Sequence, residues 1–542
     1  MKLFARISFL VCMIGVFALF VRTAAFSYIG LDDAAYTFRN PFVAGGLSFG
    51  NVFNAFTNLR HGGIWMPVTY ISYMLDASIC RIAGLPLIGE MHVVNVLLHV
   101  INFLLLWKLI SAFAAHQPPT ANYQLPTILS ALAAVVWAVH PLRVEPVAWV
   151  AARKELLWTL FTLVGLICWR DSRRWPWAYL CCALACLSKP TAMCFPFLAA
   201  VIGWQQGWRR FRYLPLLAMA AATAAIAAYS QTHVAGQESS ALYAAPLAHR
   251  LVNALSAVGF YLKAMVWPVG LHFDCRAVSD LWPIGAVGNL AALGLAFVFA
   301  VWAFRRLPTN GSTGCRLPTF VFALAWFIIP LAPTLGVFGS FGIESHADRF
   351  AYLPSMAVSF VLVPFLSRPV GRRFAYVAVV VFSVLSFRQL ESWRDDATAY
   401  TRTLSCDSGH PRAMVHVADA LCARRHDFDG GIRLYRQALS LADTVPRGGF
   451  DSEDVKARLA YALASRGRDE DFAEVKRLGA AVLCDTRLDR RGMMLDALGS
   501  AFLHYGDTQR AASLFRASIA APDRFWPKAS TQRKLELAIG SW

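Results

Sequence analysis

Two adjacent carboxylic acids, Asp32 and Asp33, follow the first apolar stretch of the chain. An acid pair in this position has two interpretations. It can be a solvated cap at the end of a helix, or one carboxylate can act as a base that takes a proton from an incoming hydroxyl group. We name both acids as candidate catalytic residues.

A second polar cluster lies in the segment 140–155, between two apolar stretches. Its members are one histidine and five charged side chains: His140, Arg143, Glu145, Arg153, Lys154 and Glu155. Salt bridges that fix helix ends would explain Glu145, Arg153 and Glu155. The basic members would equally suit a phosphate at the lipid surface, because guanidinium groups bind phosphate oxygens in pairs.

Two further cations, Lys189 and Arg349, fall on the same predicted side of the membrane. Each could be a simple anchor at the membrane edge. Together with the acid pair and the cluster at 140–155, they indicate the transfer of a group from a lipid-linked phosphate. The opposite loops carry only arginine clusters, which orient the chain.

The composition defines the elements that must position these residues. Of 542 residues, 57% are hydrophobic and 15% are charged, whereas a soluble domain has about 25% charged residues. This excludes a single large cytosolic enzyme. The net charge of +18 could indicate nucleic acid, but the arginines flank apolar stretches, so we expect a lipid bilayer and no nucleic acid as partner.

The apolar stretches predict an all-α, polytopic membrane helix bundle of about eleven spans within residues 1–390. The predicted spans are 7–21, 90–113, 124–140, 154–169, 175–188, 190–204, 213–229, 283–304, 319–338, 350–366 and 373–388. The first also resembles a cleavable signal peptide, and we favour an uncleaved helix.

The segments 67–85 and 250–268 contain charged residues, so we place them on the outer face. The outer-face loops are then 30–66, 140–154 and 230–282. The N-terminus is cytoplasmic, and an odd number of crossings puts the C-terminal region outside the cytoplasm.

Residues 391–542 change to a charged, Ala-rich sequence. Gly431, Tyr435 and Ala438 are spaced i, i+4 and i+7, and residues 498–518 repeat this pattern around Phe515. Small residues at such positions let two helices approach while the aromatic side chain fills the gap. We predict a small, soluble domain of tetratricopeptide-like repeats that binds a protein partner; an unrelated helical domain is the alternative.

A polar stripe follows one face of the second span, where His92, Asn95 and His99 are spaced i, i+3 and i+7. Hydrogen bonds between helices would explain the stripe. The alternative is contact with the substrate, for which we name His92, Asn95 and Glu145. The histidines do not form a zinc pattern, so we expect no metal site and no certain cofactor; a divalent cation that bridges an acid and a phosphate stays open.

These residues, in this order, resemble the transmembrane and tetratricopeptide repeat O-mannosyltransferases and their bacterial relatives, a family of GT-C type glycosyltransferases that use polyprenyl-phosphate sugars. The likeness runs through Asp32-Asp33 with Asn40-Pro41, Trp65 to Tyr70, His92 to His99, His140 to Leu156, Arg250 to Pro268, Ala347 to Pro354 and the repeats after Trp393.

The resemblance implies an inverting membrane transferase whose active site faces the periplasm or lumen. Either Asp32 or Asp33 would be the general base; we prefer Asp32, with Asp33 supporting it or contacting the acceptor. The residues implied for the donor phosphate are Arg349, Arg153, Lys154 and His140, to which we add Arg143 and Lys189.

The expected donor is a polyprenyl-phosphate sugar, and the expected acceptor is a Ser or Thr hydroxyl of exported proteins. The composition favours a bacterial inner membrane with periplasmic repeats. Two alternatives are a non-catalytic membrane scaffold for envelope or secretion assembly, and a transferase that acts on a lipid or glycan.

Overall fold

A computed structural model describes most of the chain. The described residues are 2–30, 32–59, 64–114, 125–205, 210–234, 246–273, 287–291, 293–294, 319–337, 346–441, 452–483, 491–521 and 528–540. Within these ranges every regular element is helical, which confirms the all-α prediction. The chain divides into two compact units, Met1–Ala399 and Tyr400–Trp542.

Long helices in the first unit alternate with short helical turns. The α-helices are α1 (Lys2–Phe20), α2 (Asp33–Tyr36), α3 (Pro41–Ala44), α4 (Phe49–Thr57), α5 (Pro67–Ala83), α6 (Leu87–Ala114), α7 (Leu125–Ala138), α8 (Val144–Ala148), α9 (Arg153–Trp169), α10 (Trp175–Ser188), α11 (Phe195–Gln205), α12 (Leu214–Val234), α13 (Leu247–Val266), α14 (Thr319–Leu331), α15 (Ala357–Leu366) and α16 (Pro369–Leu390). The helix α17 (Asp396–Cys406) crosses the boundary to the second unit.

The expected count of about eleven spans is not reproduced. Among the described residues, two helices are long and apolar enough to cross a membrane, Leu87–Phe113 and Pro369–Trp393. The bent pair Thr127–Ala138 and Pro141–Ala148 would add a third span.

The remaining apolar stretches do not form helices that qualify as membrane spans, and the main reason is their length. Several of them form helices of 10–17 residues, and a bilayer core of about 30 Å requires about 20 residues at 1.5 Å per residue. The predicted span 283–304 lies mostly outside the described residues. The segments at 67–85 and 250–268 form α5 and α13, and neither helix is among the candidate spans.

The segment 140–155, which we expect on the outer face, is packed as part of the protein interior. It folds as three short turns, Pro141–Arg143, Val144–Ala148 and Val150–Ala152, before α9 begins. Every residue from 140 to 155 is buried. The functional residues of this segment are therefore held by packing on all sides.

The second unit contains pairs of packed helices. They are α18 (Pro411–Arg425) with α19 (Phe428–Ser440), α20 (Ser452–Arg466) with α21 (Asp471–Leu483), and α22 (Arg491–His504) with α23 (Thr508–Ala520), followed by α24 (Lys528–Ile539). Gly431 and Gly499 lie where helices approach closely: a Cβ at Gly431 would lie 2.3 Å from the Cys422 sulfur, and one at Gly499 would lie 2.6 Å from the Phe515 ring. The small residues have the packing role expected from their spacing.

Candidate active site

The two adjacent acids have different environments. Asp33 is buried, and both of its carboxylate oxygens accept hydrogen bonds from backbone N–H groups. Ile29 donates to Oδ2 at 2.7 Å, and Ala151 donates to Oδ1 at 2.7 Å. Burial raises the pKa of Asp33 to about 8, and the two backbone donors oppose that rise. Asp33 therefore connects the residues that follow α1 to the segment 140–155.

Asp32 is the accessible member of the pair. It occupies the residue before α2, but its side chain makes no capping hydrogen bond to the helix, so the cap interpretation does not account for its carboxylate. The side chain is 32% exposed, and its Oδ2 lies 3.8 Å from Nζ of Lys154. A carboxylate that is exposed and next to a cation has the geometry of a base that a substrate can reach.

Lys154 is held against two aromatic rings. Its Nζ donates to the hydroxyl oxygen of Tyr36 at 3.4 Å and lies 4.6 Å from the centroid of the Tyr36 ring. The centroid of the Trp149 ring lies 6.0 Å from the same nitrogen. Favourable contact with the ring faces keeps the ammonium group beside Asp32.

Arg349 and Lys189 extend this arrangement into a group of three cations. The Arg349 guanidinium carbon lies 5.0 Å from the centroid of the Trp149 ring that Lys154 also approaches. Arg349 and Lys189 then share the Phe350 ring, at 4.8 and 5.1 Å from its centroid. We call Lys154, Arg349 and Lys189 the cation group.

Each of the last two cations has a buried carboxylate partner. Glu145 accepts from Arg349 twice, from Nη1 at 2.5 Å and from the backbone N–H at 3.1 Å. Glu155 accepts from Lys189 at 2.5 Å and from the Trp158 indole N–H at 2.8 Å. These contacts agree with the salt-bridge interpretation of Glu145 and Glu155, and they occupy both oxygens of Glu145, our candidate for substrate contact.

The charges around Lys189 act in opposite directions. Burial lowers its pKa, the carboxylate of Glu155 raises it, and the positive charges of Lys154 and Arg349 lower it again. An anion placed among the three cations would relieve their mutual repulsion. The electrostatics of the cation group therefore suit a phosphate.

Arg153 lies apart from the cation group, although it precedes Lys154 in the chain. Its side chain is not exposed and forms an ion pair with Asp76, whose side chain is 5% exposed. It also donates from Nε to Asn95 Oδ1 at 2.8 Å and from Nη2 to the Met91 carbonyl at 2.8 Å. Asn95 in turn donates to the Trp149 carbonyl at 3.1 Å. This chain of contacts positions the ring that Lys154 and Arg349 share.

Asp76 is not among the candidate residues named from the sequence, where it counts only as a charged residue of the segment 67–85. The available signal was the type of residue, because a carboxylate among apolar residues requires a cationic or hydrogen-bonding partner.

His140 and Arg143 also serve the internal framework. Nδ1 of His140 accepts from the Leu142 N–H at 3.2 Å, so Nε2 carries the proton and lies 3.2 Å from the Met265 carbonyl. Arg143 is buried and donates to the Tyr352 carbonyl at 2.8 Å. The two side chains connect segment 140–155 to α13 and to residues 346–354.

The polar stripe of α6 lies mostly between helices. His99 contacts the Tyr352 hydroxyl at 2.7 Å and the Ala138 carbonyl at 3.0 Å. His92 is buried and meets the Phe26 ring edge-on, with centroids 6.4 Å apart. The contacts of His99 and Asn95 fit the interpretation as internal hydrogen bonding, whereas His92 contributes a ring contact.

A search of the described residues finds no cluster of three or more His, Cys, Asp or Glu side chains that could hold a metal ion.

Comparison with known proteins gives one informative similarity. The chain is 23% identical over 394 residues to a protein O-mannosyl-transferase of Caenorhabditis elegans, an alignment that covers 69% of this chain and 54% of the worm protein. The chain thus spans about half the length of that relative. No family model and no solved structure matches the chain. The similarity supports, at a distance, the resemblance to O-mannosyltransferases inferred from the sequence.

Proposed function

We propose that this protein is a membrane glycosyltransferase that moves a sugar from a polyprenyl-phosphate donor to a Ser or Thr hydroxyl of an exported protein. The observation that carries the proposal is the contact of the accessible Asp32 with Lys154, 3.8 Å apart, at one end of the cation group. The distant similarity to a worm protein O-mannosyl-transferase supports the same class of activity.

In this mechanism Asp32 takes the proton of the acceptor hydroxyl as the oxygen attacks the anomeric carbon of the sugar. The bond from that carbon to the phosphate oxygen breaks, and polyprenyl phosphate leaves with the bonding electrons. The cation group, Lys154, Arg349 and Lys189, stabilises the charge that develops on the phosphate. Attack opposite to the leaving group inverts the anomeric configuration in one step.

The other candidate residues act by positioning Asp32 and the cation group. Asp33 holds the loop of the base against the Ala151 N–H. Arg153 and Asn95 position Trp149. His140 connects the segment 140–155 to α13, and Arg143 connects it to residues 346–354. We therefore assign the donor phosphate to the cation group and a positioning role to Arg153, Arg143 and His140.

The proposal places the site on the outer face of a GT-C type membrane domain. The N-terminus is then cytoplasmic, and the packed helix pairs of residues 391–542 are periplasmic, tetratricopeptide-type repeats that present the acceptor. Packed repeats provide an extended surface for gripping a polypeptide. The membrane is the inner membrane of a bacterium.

The decisive experiment compares two Asp→Asn variants in lipid nanodiscs. The probes are undecaprenyl-phosphate [³H]mannose and the exported-protein fraction of cells that lack the gene. We expect Asp32→Asn to abolish transfer of label to protein. Asp171→Asn is the matched control. Asp171 is half-exposed and pairs with Arg174 three residues later, in a loop that does not contain Asp32. Transfer by Asp32→Asn at the wild-type rate would rule out the assigned base.

The same assay separates the alternatives. A non-catalytic scaffold leaves all label on the donor, and a transferase for lipid or glycan acceptors moves label into the organic or glycan extract. Mass spectrometry of exported proteins from cells with and without the gene then identifies the sugar by the hexose or pentose that is lost.

A further inference from the structure

The helix α4 exposes a row of aromatic side chains. Phe49, Phe53 and Phe56 follow one another at i, i+4 and i+7, and their exposed fractions are 89%, 59% and 39%. Residues at these spacings share one face of a helix. No charged residue occurs between positions 48 and 59. A row of exposed phenylalanines on an uncharged helix requires a non-aqueous partner.

Hydrogen bonds to the helix α5 fix the start of α4. The Arg81 guanidinium donates to the Ala44 carbonyl at 2.8 Å and to the Gly45 carbonyl at 3.3 Å. Just beyond, the Ser78 hydroxyl accepts from the Leu47 N–H at 2.7 Å. The helix therefore cannot turn its phenylalanine face inward without losing these contacts.

The other end of α4 is held as well. The Trp65 indole N–H donates to the Phe56 carbonyl at 3.1 Å. At the start, the Ser48 hydroxyl caps the helix by accepting from the Asn51 N–H at 3.1 Å. With both ends attached, the orientation of the aromatic face is a fixed property of the fold.

The neighbouring helix α5, which packs against α4, also exposes apolar side chains. Leu75, Ile79 and Ile82 are exposed and have the same spacing of i, i+4 and i+7. Two packed helices thus each present a row of three large apolar side chains. Rows of exposed apolar side chains of this kind mark a site of interaction.

We propose that α4 lies along the outer surface of the membrane, with Phe49, Phe53 and Phe56 inserted between the lipid headgroups and the acyl chains. A helix of nine residues is about 14 Å long, which is too short to cross a bilayer. Asn51 and Asn54 lie on the face opposite to the phenylalanines and are partly exposed, and the Asn51 amide donates to the Gly46 carbonyl at 2.7 Å.

The partner is lipid because the molecule already carries helices that fit a bilayer. The helix α16 exposes Val377 and Val380 in the same way along a segment long enough to cross. A short helix with an apolar aromatic face and an uncharged polar opposite face can rest in the interface. This inference concerns membrane contact and does not depend on the proposed transferase activity.

The position of α4 also sets the depth of the acid pair. The helix α3 joins α2 to α4, and the Asn40 side chain caps α3 by accepting from the Phe42 N–H at 3.0 Å. The acids at 32–33 are therefore connected to the interfacial helix through a short, capped segment. Insertion of the phenylalanine face would hold Asp32 at a constant height relative to the lipid phosphates.

Photolabelling of the full chain tests the proposal without altering it. The protein is placed in nanodiscs that contain a phospholipid with a diazirine near the top of its acyl chain, irradiated, digested and mapped by mass spectrometry. We expect adducts on Phe49, Phe53 and Phe56. The internal positive controls are Val377 and Val380; the negative control is Leu537, which is exposed in the second unit.

A matched pair of variants provides the second readout. Phe53→Asp puts a charge on the inserted face, so adducts across residues 49–56 should fall several-fold. Asn54→Asp puts the same charge on the opposite face and should leave them unchanged. The proposal is overturned if residues 49–56 carry no adducts while Val377 and Val380 are labelled, or if both variants are labelled like the wild type.

Discussion

One carboxylate oxygen of Asp33 accepts a hydrogen bond from the backbone N–H of Ala151 at 2.7 Å, across 118 positions of sequence. The other oxygen accepts from the Ile29 N–H at the same distance. The acid next to the proposed base is thus a structural clamp, and only Asp32 keeps a carboxylate that faces both solvent and a cation. Adjacent acids of one type have acquired separate roles through their environments.

The clamp predicts that Asp33→Asn destabilises the protein. An asparagine has one acceptor oxygen, so its amide nitrogen would face one of the two backbone donors. A buried N–H without an acceptor costs about 1–3 kcal/mol. Thermal unfolding in detergent at about pH 4, where the pH-dependent contribution of Asp33 is still present, measures this loss, with the half-exposed Asp171→Asn as a control that should unfold like the wild type. Equal unfolding temperatures for all three proteins would contradict the clamp.

Asp33 also predicts a dependence of stability on pH. Its pKa is about 8 in the folded protein, where burial raises it from the ordinary value of 3.8. Between these values the folded chain holds a proton that the unfolded chain has released. The contribution of Asp33 is therefore complete below about pH 4 and is lost as the pH rises through 8.

The contribution of Asp33 is isolated by measuring the unfolding temperature against pH for the wild type and for Asp33→Asn, and taking the difference. Asp33→Asn does not titrate at this position, while all other groups titrate in both proteins. We expect the unfolding temperature of the wild type to fall relative to the variant as the pH rises from 4 to 8. Parallel curves would show that Asp33 holds no extra proton in the folded state.

The buried contact of Arg349 with Glu145 predicts that Arg349→Ala affects more than the donor site. The change leaves Glu145 buried and unpaired, which costs about 3–5 kcal/mol. The double variant Arg349→Met with Glu145→Gln should restore most of the lost stability and still raise the KM for the polyprenyl-phosphate donor. Unfolding temperature and donor titration measure the two effects separately. A double variant with wild-type KM would remove Arg349 from the proposed phosphate site.

The internal ion pair of Asp76 and Arg153 predicts strong coupling. Asp76→Ala leaves a buried guanidinium without its carboxylate, so we expect a loss of about 3–5 kcal/mol. Asp171→Asn, which removes the charge of the exposed pair with Arg174 but keeps the oxygen that accepts from the Arg173 N–H, should cost at most about 1 kcal/mol. A double-mutant cycle with Arg153→Met measures the coupling. Additive effects of the two single changes would show that the pair is not formed.

The close packing of α18 and α19 in the second unit predicts a clash when Gly431 is replaced by a larger residue. Alanine favours helix formation by about 1 kcal/mol over glycine, but its Cβ would lie 2.3 Å from the Cys422 sulfur. We expect Gly431→Ala to destabilise the domain by about 1–3 kcal/mol. Limited proteolysis of the full chain measures this, with Gln437→Ala at an exposed position of the same helix as the control. Stabilisation by Gly431→Ala would show that the two helices are further apart.

The all-α class could be predicted because apolar stretches and i, i+4, i+7 patterns are local properties of the sequence. The break between the apolar stretches 175–188 and 190–204 could be predicted as well, but the start of α15 at Ala357 could not, since we expected that stretch to begin at residue 350. The helix α10 ends at Ser188 because the next residue, Lys189, is extended (φ −156°, ψ 131°). A residue before proline avoids the helical conformation, and Pro190 follows. Such breaks divide apolar sequence into helices too short for separate spans.

The candidate site could be predicted as a set of residues and not as an arrangement. Asp32, Lys154 and Lys189 were expected on one face, but the aromatic rings that join the cations are scattered along the chain. Successive residues of a helix point about 100° apart. Arg153 therefore faces the interior while its neighbour Lys154 faces Asp32, a division that residue type alone does not give.

The burial of every residue from 140 to 155 has a consequence for how the site can open. Lifting this segment would expose Trp149 and break the hydrogen bond of Arg143 to the Tyr352 carbonyl, so it is not suited to swing aside as a lid. It forms a fixed wall beside the accessible carboxylate of Asp32. Little of the free energy of donor binding would then be lost to ordering side chains, because the wall is preorganised before the donor arrives.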